Sequence, residues 1–213
     1  MKIGVFDSGI GGEALAQALQ KSFPSAEMFV VNDRNNVPYG DKSDIKIIEL
    51  TNQAIQPLLE RGCDVIVIAC NTATAVAIET LRKKYPDQHF IGIEPMIKTA
   101  SNQTKTNVIA VCATPATLAS ERYKNLVNKY ASHLTIVEPD CSNWAYMIEH
   151  SEINEQEIAS VINNVCERGA DVIVLGCTHY HWIKERIENL TNGKASVLEP
   201  SEAIGRRVSE LLG

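Results

Sequence analysis

The chain has 213 residues, a net charge of −6 and 45% hydrophobic residues, enough for one large α/β domain or two small ones. The acidic balance argues against nucleic acid or an anionic membrane as the main partner, and it gives no long-range steering to an acidic substrate. No apolar run approaches the roughly 20 residues that span a bilayer, the first six residues are too short and too soon polar for a signal peptide, and six cysteines without a Cys-x-x-Cys pair suit a cytoplasmic protein with reduced thiols.

In chain order, short β-branched runs predict strands over 2–6, 28–32, 65–68, 89–93, 107–111, 134–137, 172–175 and 196–198. Amphipathic spacing predicts helices over 13–21, 44–61, 75–85, 116–130, 155–168 and 182–190, with a C-terminal helix over 203–213. Strands this short and apolar, alternating with helices, indicate parallel sheet covered on both faces.

A repeat organises these elements. Arg61-Gly62-Cys63-Asp64-Val65-Ile66-Val67-Ile68-Ala69-Cys70 matches Arg168-Gly169-Ala170-Asp171-Val172-Ile173-Val174-Leu175-Gly176-Cys177, 107 residues later. Ile3-Gly4-Val5 pairs with Ile109-Ala110-Val111, Asp33 with Asp140, and Gly92-Ile93-Glu94-Pro95 with Val197-Leu198-Glu199-Pro200. Any two buried parallel strands look alike, but four pairs in one order exceed that background. The fold expected is α/β: two similar parallel-sheet halves of four strands each, related by a pseudo-two-fold axis, with the active site in the cleft between them. The first half takes residues 1–96 plus the helix 203–213, and the second takes 97–202.

Ligands of open α/β sheets bind beyond the carboxyl ends of the strands. Cys70 and Cys177 each stand just past such an end, before a predicted helix. A lone cysteine is ordinarily a small buried residue, and Cys63, Cys112, Cys141 and Cys166 are read that way. Cys70 and Cys177 differ because their positions match and polar residues follow: Asn71-Thr72 and Thr178-His179. Such residues can cap the next helix, a role compatible with holding a carboxylate. Inverting a carbon stereocentre by proton transfer needs a base on one face and an acid on the other, and opposed thiols can supply both. A helix N-terminus favours the thiolate, and nearby His and Asp residues adjust it.

A competing pattern lies at the N-terminus. Gly9-Ile10-Gly11-Gly12-Glu13-Ala14 fits the dinucleotide-binding Gly-x-Gly-x-x-Ala, with Asp33 at the end of the next strand. Asp7-Ser8 puts polar side chains where such a turn usually begins its glycines, and the pattern leaves the paired cysteines unexplained. The glycines are read instead as a tight strand-to-helix turn whose N–H groups face the cleft.

Together the blocks Gly4–Gly12, Asn36–Gly40, Ala69–Ala75, Ile91–Met96, Ala113–Thr117 and Leu175–Tyr180 resemble the signatures of the glutamate racemase family, in the family's order. The resemblance implies interconversion of L- and D-glutamate without pyridoxal phosphate, metal or other cofactor, supplying D-glutamate for peptidoglycan, cell-wall biogenesis and cell shape. It matches Cys70 and Cys177 to the catalytic cysteines, Asp7 and His179 to the residues that assist them, and Glu149 to a third. It matches Asp7-Ser8, Tyr39-Gly40, Asn71-Thr72 and Thr178-His179 to substrate-binding pairs, with Thr114 and Thr117 lining the pocket. No nucleic acid or membrane partner is implied, and a homodimer is allowed. The departures are a shorter chain, Glu13 after the glycines, and His181-Trp182 where the family usually has Pro and an aliphatic residue. His181 with Cys177 suggests a metal, but no closed ligand set accompanies them. Asp33 and Asp140 read as loop caps, His89, His133 and His150 as surface or helix-end residues, and Lys98, Lys105 and Lys124 as solvated charge. A racemase of another acid such as aspartate, an NAD oxidoreductase and a non-catalytic binding protein are the alternatives.

Overall fold

The computed structural model describes residues 1–213 and divides them into two compact units, Met1–Glu94 with Pro200–Gly213, and Pro95–Glu199. No helix is long and apolar enough to cross a membrane.

The first unit runs β1 (Lys2–Asp7), α1 (Gly11–Ser22), β2 (Glu27–Asn32), α2 (Asp44–Ala54), α3 (Gln56–Glu60), β3 (Val65–Ile68), α4 (Asn71–Lys84) and β4 (His89–Gly92). Two single 3₁₀ turns, Arg34–Asn36 and Tyr39–Asp41, stand between β2 and α2. The second unit runs α5 (Ile97–Gln103), β5 (Val108–Ala113), α6 (Pro115–Ala119), α7 (Glu121–Tyr130), β6 (Thr135–Val137), α8 (Trp144–Glu149), α9 (Glu155–Glu167), β7 (Val172–Gly176), a 3₁₀ segment Thr178–Ile183, α10 (Lys184–Thr191) and β8 (Ser196–Leu198). The last helix, α11 (Ser201–Leu212), belongs to the first unit.

Both sheets are parallel and have the same order, β2-β1-β3-β4 and β6-β5-β7-β8. The register repeats closely: Ile3 lies opposite Val65 in one sheet and Ile109 opposite Val172 in the other. β3 and β7 are buried at every position because helices cover both faces, which is why their sequence is a continuous apolar run without alternation. In the first unit one core gathers Phe6, Tyr39, Leu58, Ile66, Ile68 and Leu81, and the other Ile3, Leu15, Leu19, Val65, Val67 and Ile204.

The shared Arg-Gly-x-Asp that precedes β3 and β7 has a local cause. Gly62 and Gly169 both take positive φ, +63° and +88°, which lets the chain leave the preceding helix in the left-handed conformation that side chains resist. The aspartate two residues on then anchors the start of the central strand. Asp64 accepts the Lys2 backbone N–H at 2.7 Å. Asp171 accepts the Thr104 hydroxyl at 2.5 Å and the N–H groups of Lys105 and Thr106 at 2.6 and 3.1 Å. Burial acts to raise the Asp171 pKa, but these hydrogen bonds outweigh it and hold the carboxyl below its ordinary value. A depressed carboxylate pKa stabilises the fold above the unfolded-state value and loses that contribution as pH falls through the folded-state value. Asp171→Asn is therefore expected to lower stability by about 1 kcal/mol at neutral pH. The difference from the unmutated protein should shrink below about pH 4, as urea unfolding at several pH values would measure.

Three predicted helices divide. The stretch 44–61 breaks at Ile55, because Pro57 has no N–H to carry α2 onward and instead opens α3. The stretch 116–130 breaks at Ser120, which is extended and caps α7 through the Tyr123 N–H. The stretch 182–190 begins as the end of a 3₁₀ segment and becomes α-helical only at Lys184. α5 and α8, seven and six residues long, are too short for the periodicity to reveal.

Candidate active site

In the first unit, β1 and β3 lie side by side, with Phe6 opposite Ile68. The Ala69 N–H donates to the Phe6 carbonyl at 2.6 Å, continuing the pairing one step beyond the strand. That brings the turn Asp7-Ser8 beside Cys70. The Cys70 sulfur accepts the Ser8 hydroxyl at 3.3 Å and the Ala73 backbone N–H at 3.4 Å. Cys70 is thus the N-cap residue of α4, a 14-residue helix whose dipole favours negative charge at this end. The Thr74 hydroxyl donates to the Ile68 carbonyl at 3.0 Å and accepts the Ile93 N–H at 3.2 Å, fixing α4 to β3 and to the segment after β4.

Asp7, Ser8, Cys70, Asn71 and Thr72 are all buried. One Asp7 carboxylate oxygen accepts the Gly9 N–H at 2.9 Å. Asn71 is the unusual member: neither its amide nitrogen nor its amide oxygen has a protein partner, although both are buried. Such a group costs about 1–3 kcal/mol, which makes Asn71 a candidate for contact with a ligand. Tyr39 is buried against Phe6, with ring centroids 6.3 Å apart, and Gly40 follows it in the 3₁₀ turn. The Tyr39 hydroxyl donates to Asp33 at 2.8 Å, and the Asn36 amide donates to the same carboxylate at 2.9 Å. Burial and the Asp33 carboxylate push the Tyr39 pKa far up, so the phenol stays neutral. Asp33 therefore does more than the loop cap expected of it: its side chain ties the Tyr39 turn to the end of β2. Sequence reasoning missed this because the two residues are six apart in a segment without periodicity.

The glycines after β1 do form the tight strand-to-helix turn expected, with β1 ending at Asp7. None takes positive φ, and α1 begins at Gly11. A Cβ on Gly12 would stand 2.6 Å from the Asp7 Cβ, so α1 reaches the strand end only because that position has no side chain. The requirement is room, not an unusual dihedral.

In the second unit, Gly176 closes β7 opposite Ala113 of β5. Cys177 follows on one side and Thr114 on the other. Thr114 caps α6 through the Thr117 N–H at 3.3 Å, and the two hydroxyls lie 3.0 Å apart. Cys177 precedes a 3₁₀ segment, not the α-helix expected, and no cap hydrogen bond reaches its sulfur there. Its polar neighbour is His179, whose Nδ1 lies 3.8 Å from the sulfur. On the far side of the ring, Nε2 lies 2.8 Å from the Glu149 carboxylate, and both side chains are buried. Thr178 is buried beside them.

Two residues that sequence reasoning left unassigned build this arrangement. The Tyr180 hydroxyl donates to the Cys141 carbonyl at 2.8 Å, and its ring meets the edge of Trp144 at 5.2 Å. Trp144 opens α8 and Glu149 closes it, so the aromatic contact sets α8 against the 3₁₀ segment and delivers Glu149 to His179. The signals available were Tyr180 directly after His179 and Trp144 five residues before Glu149, which sequence alone does not separate from ordinary core. His181 stands on the same segment with Nε2 buried and without a partner. Burial drives its pKa down to about 4, against the pull of Glu199 and with a push from Lys184 and His179.

The remaining thiols have structural surroundings. Cys141 is buried and hydrogen-bonded to Cys112, which together hold its thiol far above its ordinary pKa. Burial likewise raises Cys63 and Cys166, the latter only partly covered.

A duplicated α/β unit, with a thiol following the third strand of each sheet, defines a protein built on one repeated scaffold. The family model described as Asp/Glu/Hydantoin racemase matches residues 13–207. A glutamate racemase of Sulfurovum sp. is 39% identical over 218 residues, covering 99% of this chain and 82% of the relative, and one of Herpetosiphon aurantiacus is 38% identical, covering 99% and 84%. The solved structure of Escherichia coli glutamate racemase in complex with L-glutamate and the activator UDP-MurNAc-ala has a TM-score of 0.85 at 25% identity, covering 99% of this chain and 82% of that one. The chain belongs to the Asp/Glu/hydantoin racemase family, and its enzyme class is that of the racemases.

Proposed function

We propose that the protein interconverts L- and D-glutamate by two-base proton transfer, with Cys70 and Cys177 as the acid/base pair. The observation that carries this reading is that two repeat-matched thiols each have a specific set of polar neighbours. Ser8 and Ala73 attend Cys70, and the His179–Glu149 couple attends Cys177. Glutamate as substrate is supported by the relatives, including a Francisella tularensis glutamate racemase, 28% identical, solved with D-glutamate.

The chemistry follows from the residues. A thiolate removes the Cα proton from one face, and the thiol of the other cysteine returns a proton to the opposite face. The product enantiomer leaves the two sulfurs in exchanged protonation states, which the reverse reaction restores. Substrate would be held by the buried amide of Asn71 with Asp7, Ser8, Tyr39, Gly40 and Thr72 in the first unit, and by Thr114, Thr117 and Thr178 in the second. Asn71 suits an amino acid, because its NH₂ can donate to the α-carboxylate while its oxygen accepts from the ammonium group. His179, oriented by Glu149, exchanges a proton with Cys177, and Asp7 assists at Cys70. No step calls for a metal or an organic cofactor. In the cytoplasm such an activity supplies D-glutamate for peptidoglycan, with glutamate as the small-molecule partner.

The test is to dialyse the protein against a chelator and incubate it in D₂O with L-glutamate alone. D-Glutamate carrying deuterium at Cα is the expected product, because the returning proton comes from a solvent-exchanged thiol. D-Glutamate that retains its original Cα hydrogen throughout would overturn the two-base reading. Activity restored only by an added metal, pyridoxal phosphate or nicotinamide would overturn its cofactor independence.

A further inference from the structure

Two-thiol racemisation needs a proton on one sulfur and none on the other, and the repeat alone does not say which. The hydrogen bonds do. At Cys70 both the Ser8 hydroxyl and the Ala73 N–H donate to sulfur. The Ala73 N–H lies in the first turn of α4, fixed by the backbone, and it can only donate. Two donors aimed at one sulfur favour its charged form, since hydrogen bonds to an ionised acceptor are roughly twice as strong as neutral ones. Cys177 differs. A carboxylate at Glu149 can only accept, and with it His179 Nε2 carries a hydrogen and Nδ1 faces the sulfur. Nδ1 and sulfur then share one further proton, whether as thiol and imidazole or as thiolate and imidazolium.

Building on the two-cysteine reading above, we infer that Ser8 is a positioning residue that, with the Ala73 N–H, holds Cys70 as the resting thiolate, while the Cys177–His179 couple carries the transferable proton. Among the charged and titratable groups of its own unit, Asp7 ends β1 directly before Ser8, and Tyr39, which feels the Cys70 charge, is hydrogen-bonded to Asp33 in the segment after β2. Both carboxylates oppose a second negative charge, and both are themselves hydrogen-bonded. Tyr39 is neutral, and the first turn of α4 holds no acidic residue. The two donors act at the sulfur itself, and the helix end adds to them. The resting protein is thereby set for the enantiomer whose Cα–H faces Cys70.

Steady-state efficiency does not reveal this asymmetry. The enantiomers have equal free energy, so kcat/KM must be equal in the two directions whatever the resting state. The thiolate has to be read directly. Its ultraviolet absorbance, titrated in the free protein, gives the Cys70 curve as the difference between the unmutated protein and Cys70→Ser, and the Cys177 curve from Cys177→Ser in the same way. The expected Cys70 midpoint lies below the roughly 8.5 of a free thiol, and Ser8→Ala should raise it by about one unit, a tenfold fall in the thiolate-to-thiol ratio. Ser8→Thr, which keeps the hydroxyl, should leave the midpoint low, and the Cys177 curve should not move in either variant. A Cys70 midpoint at or above that of a free thiol overturns the assignment. A low midpoint that Ser8→Ala leaves in place overturns the part given to Ser8. The unmutated protein decides the first question even where Ser8→Ala does not fold. A low Cys70 midpoint in a protein that fails to racemise glutamate would count against the proposed function and not against this inference.

Discussion

Cys70→Ala and Cys177→Ala are each expected to reduce glutamate racemisation by at least about 10³-fold, since under the proposed two-base mechanism each removes the proton donor or acceptor on one face of Cα. Substrate affinity should survive in both. The proposed substrate contacts do not include either sulfur, and trimming a cysteine to alanine removes only the SH group. Calorimetric binding of glutamate within a few-fold of the unmutated protein, beside an undetectable rate, is the expected pair of results. A variant that keeps more than about a tenth of the rate would exclude its cysteine from the acid/base pair. Loss of binding together with rate would make that cysteine a structural residue.

The second large effect concerns the residue before each cysteine. The repeat aligns Ala69 with Gly176, as though the two positions were interchangeable. They are not. A Cβ on Gly176 would stand 2.8 Å from the Ala113 Cβ and 3.3 Å from both the Cys112 carbonyl oxygen and the Pro95 ring. A carbonyl oxygen in a sheet and a proline ring have little freedom to give way. Gly176→Ala is expected to cost about 1–3 kcal/mol. The strain falls on the peptide that places Cys177, and a shift of about 1 Å at a reacting group can cost 10²-fold in rate. Ala69→Gly makes no such clash, and its expected effect is a loss of about 1 kcal/mol with kcat nearly intact. Urea unfolding and kcat for the two variants side by side check the contrast. Equal, mild effects would mean that β5 moves aside more readily than its packing implies.

Much of the fold is legible in the sequence because the central strands are buried on both faces. Val65–Ile68 and Val172–Gly176 have no polar position to blur the pattern, and the Arg-Gly-x-Asp before each marks a helix exit followed by a strand start. The edge strands are weaker signals: β2 is partly exposed at every position, and β6 and β8 have three residues each. The helix breaks at Ile55 and Ser120 were signalled by Pro57 and by the capping serine, but amphipathic spacing runs across both. α8 is invisible to periodicity, and with it the placement of Glu149, which only family resemblance could suggest.

The contacts at the candidate site divide along a similar line. Cys177 and His179 are two residues apart, and their association is local. Ser8 and Cys70 are 62 residues apart, and Glu149 and His179 are 30 apart. Those pairs meet only because β1 pairs with β3 and because Trp144 packs on Tyr180. Sequence spacing names the residue types at a site. Strand register and aromatic packing decide which of them touch, and neither is written in any short window.

The placement of α11 orders events during synthesis. Its Ile204 and Val208 complete a core whose other members include Ile3, Leu15 and Leu19, near the opposite end of the chain. The unit Pro95–Glu199 is one continuous stretch and can close as soon as it leaves the ribosome. The unit begun first must wait, with an apolar strip along α1 uncovered, until the final turns of helix arrive. The first unit is therefore begun before the second and completed after it. Through that interval the part of this core that Ile204 and Val208 will cover stays open to solvent.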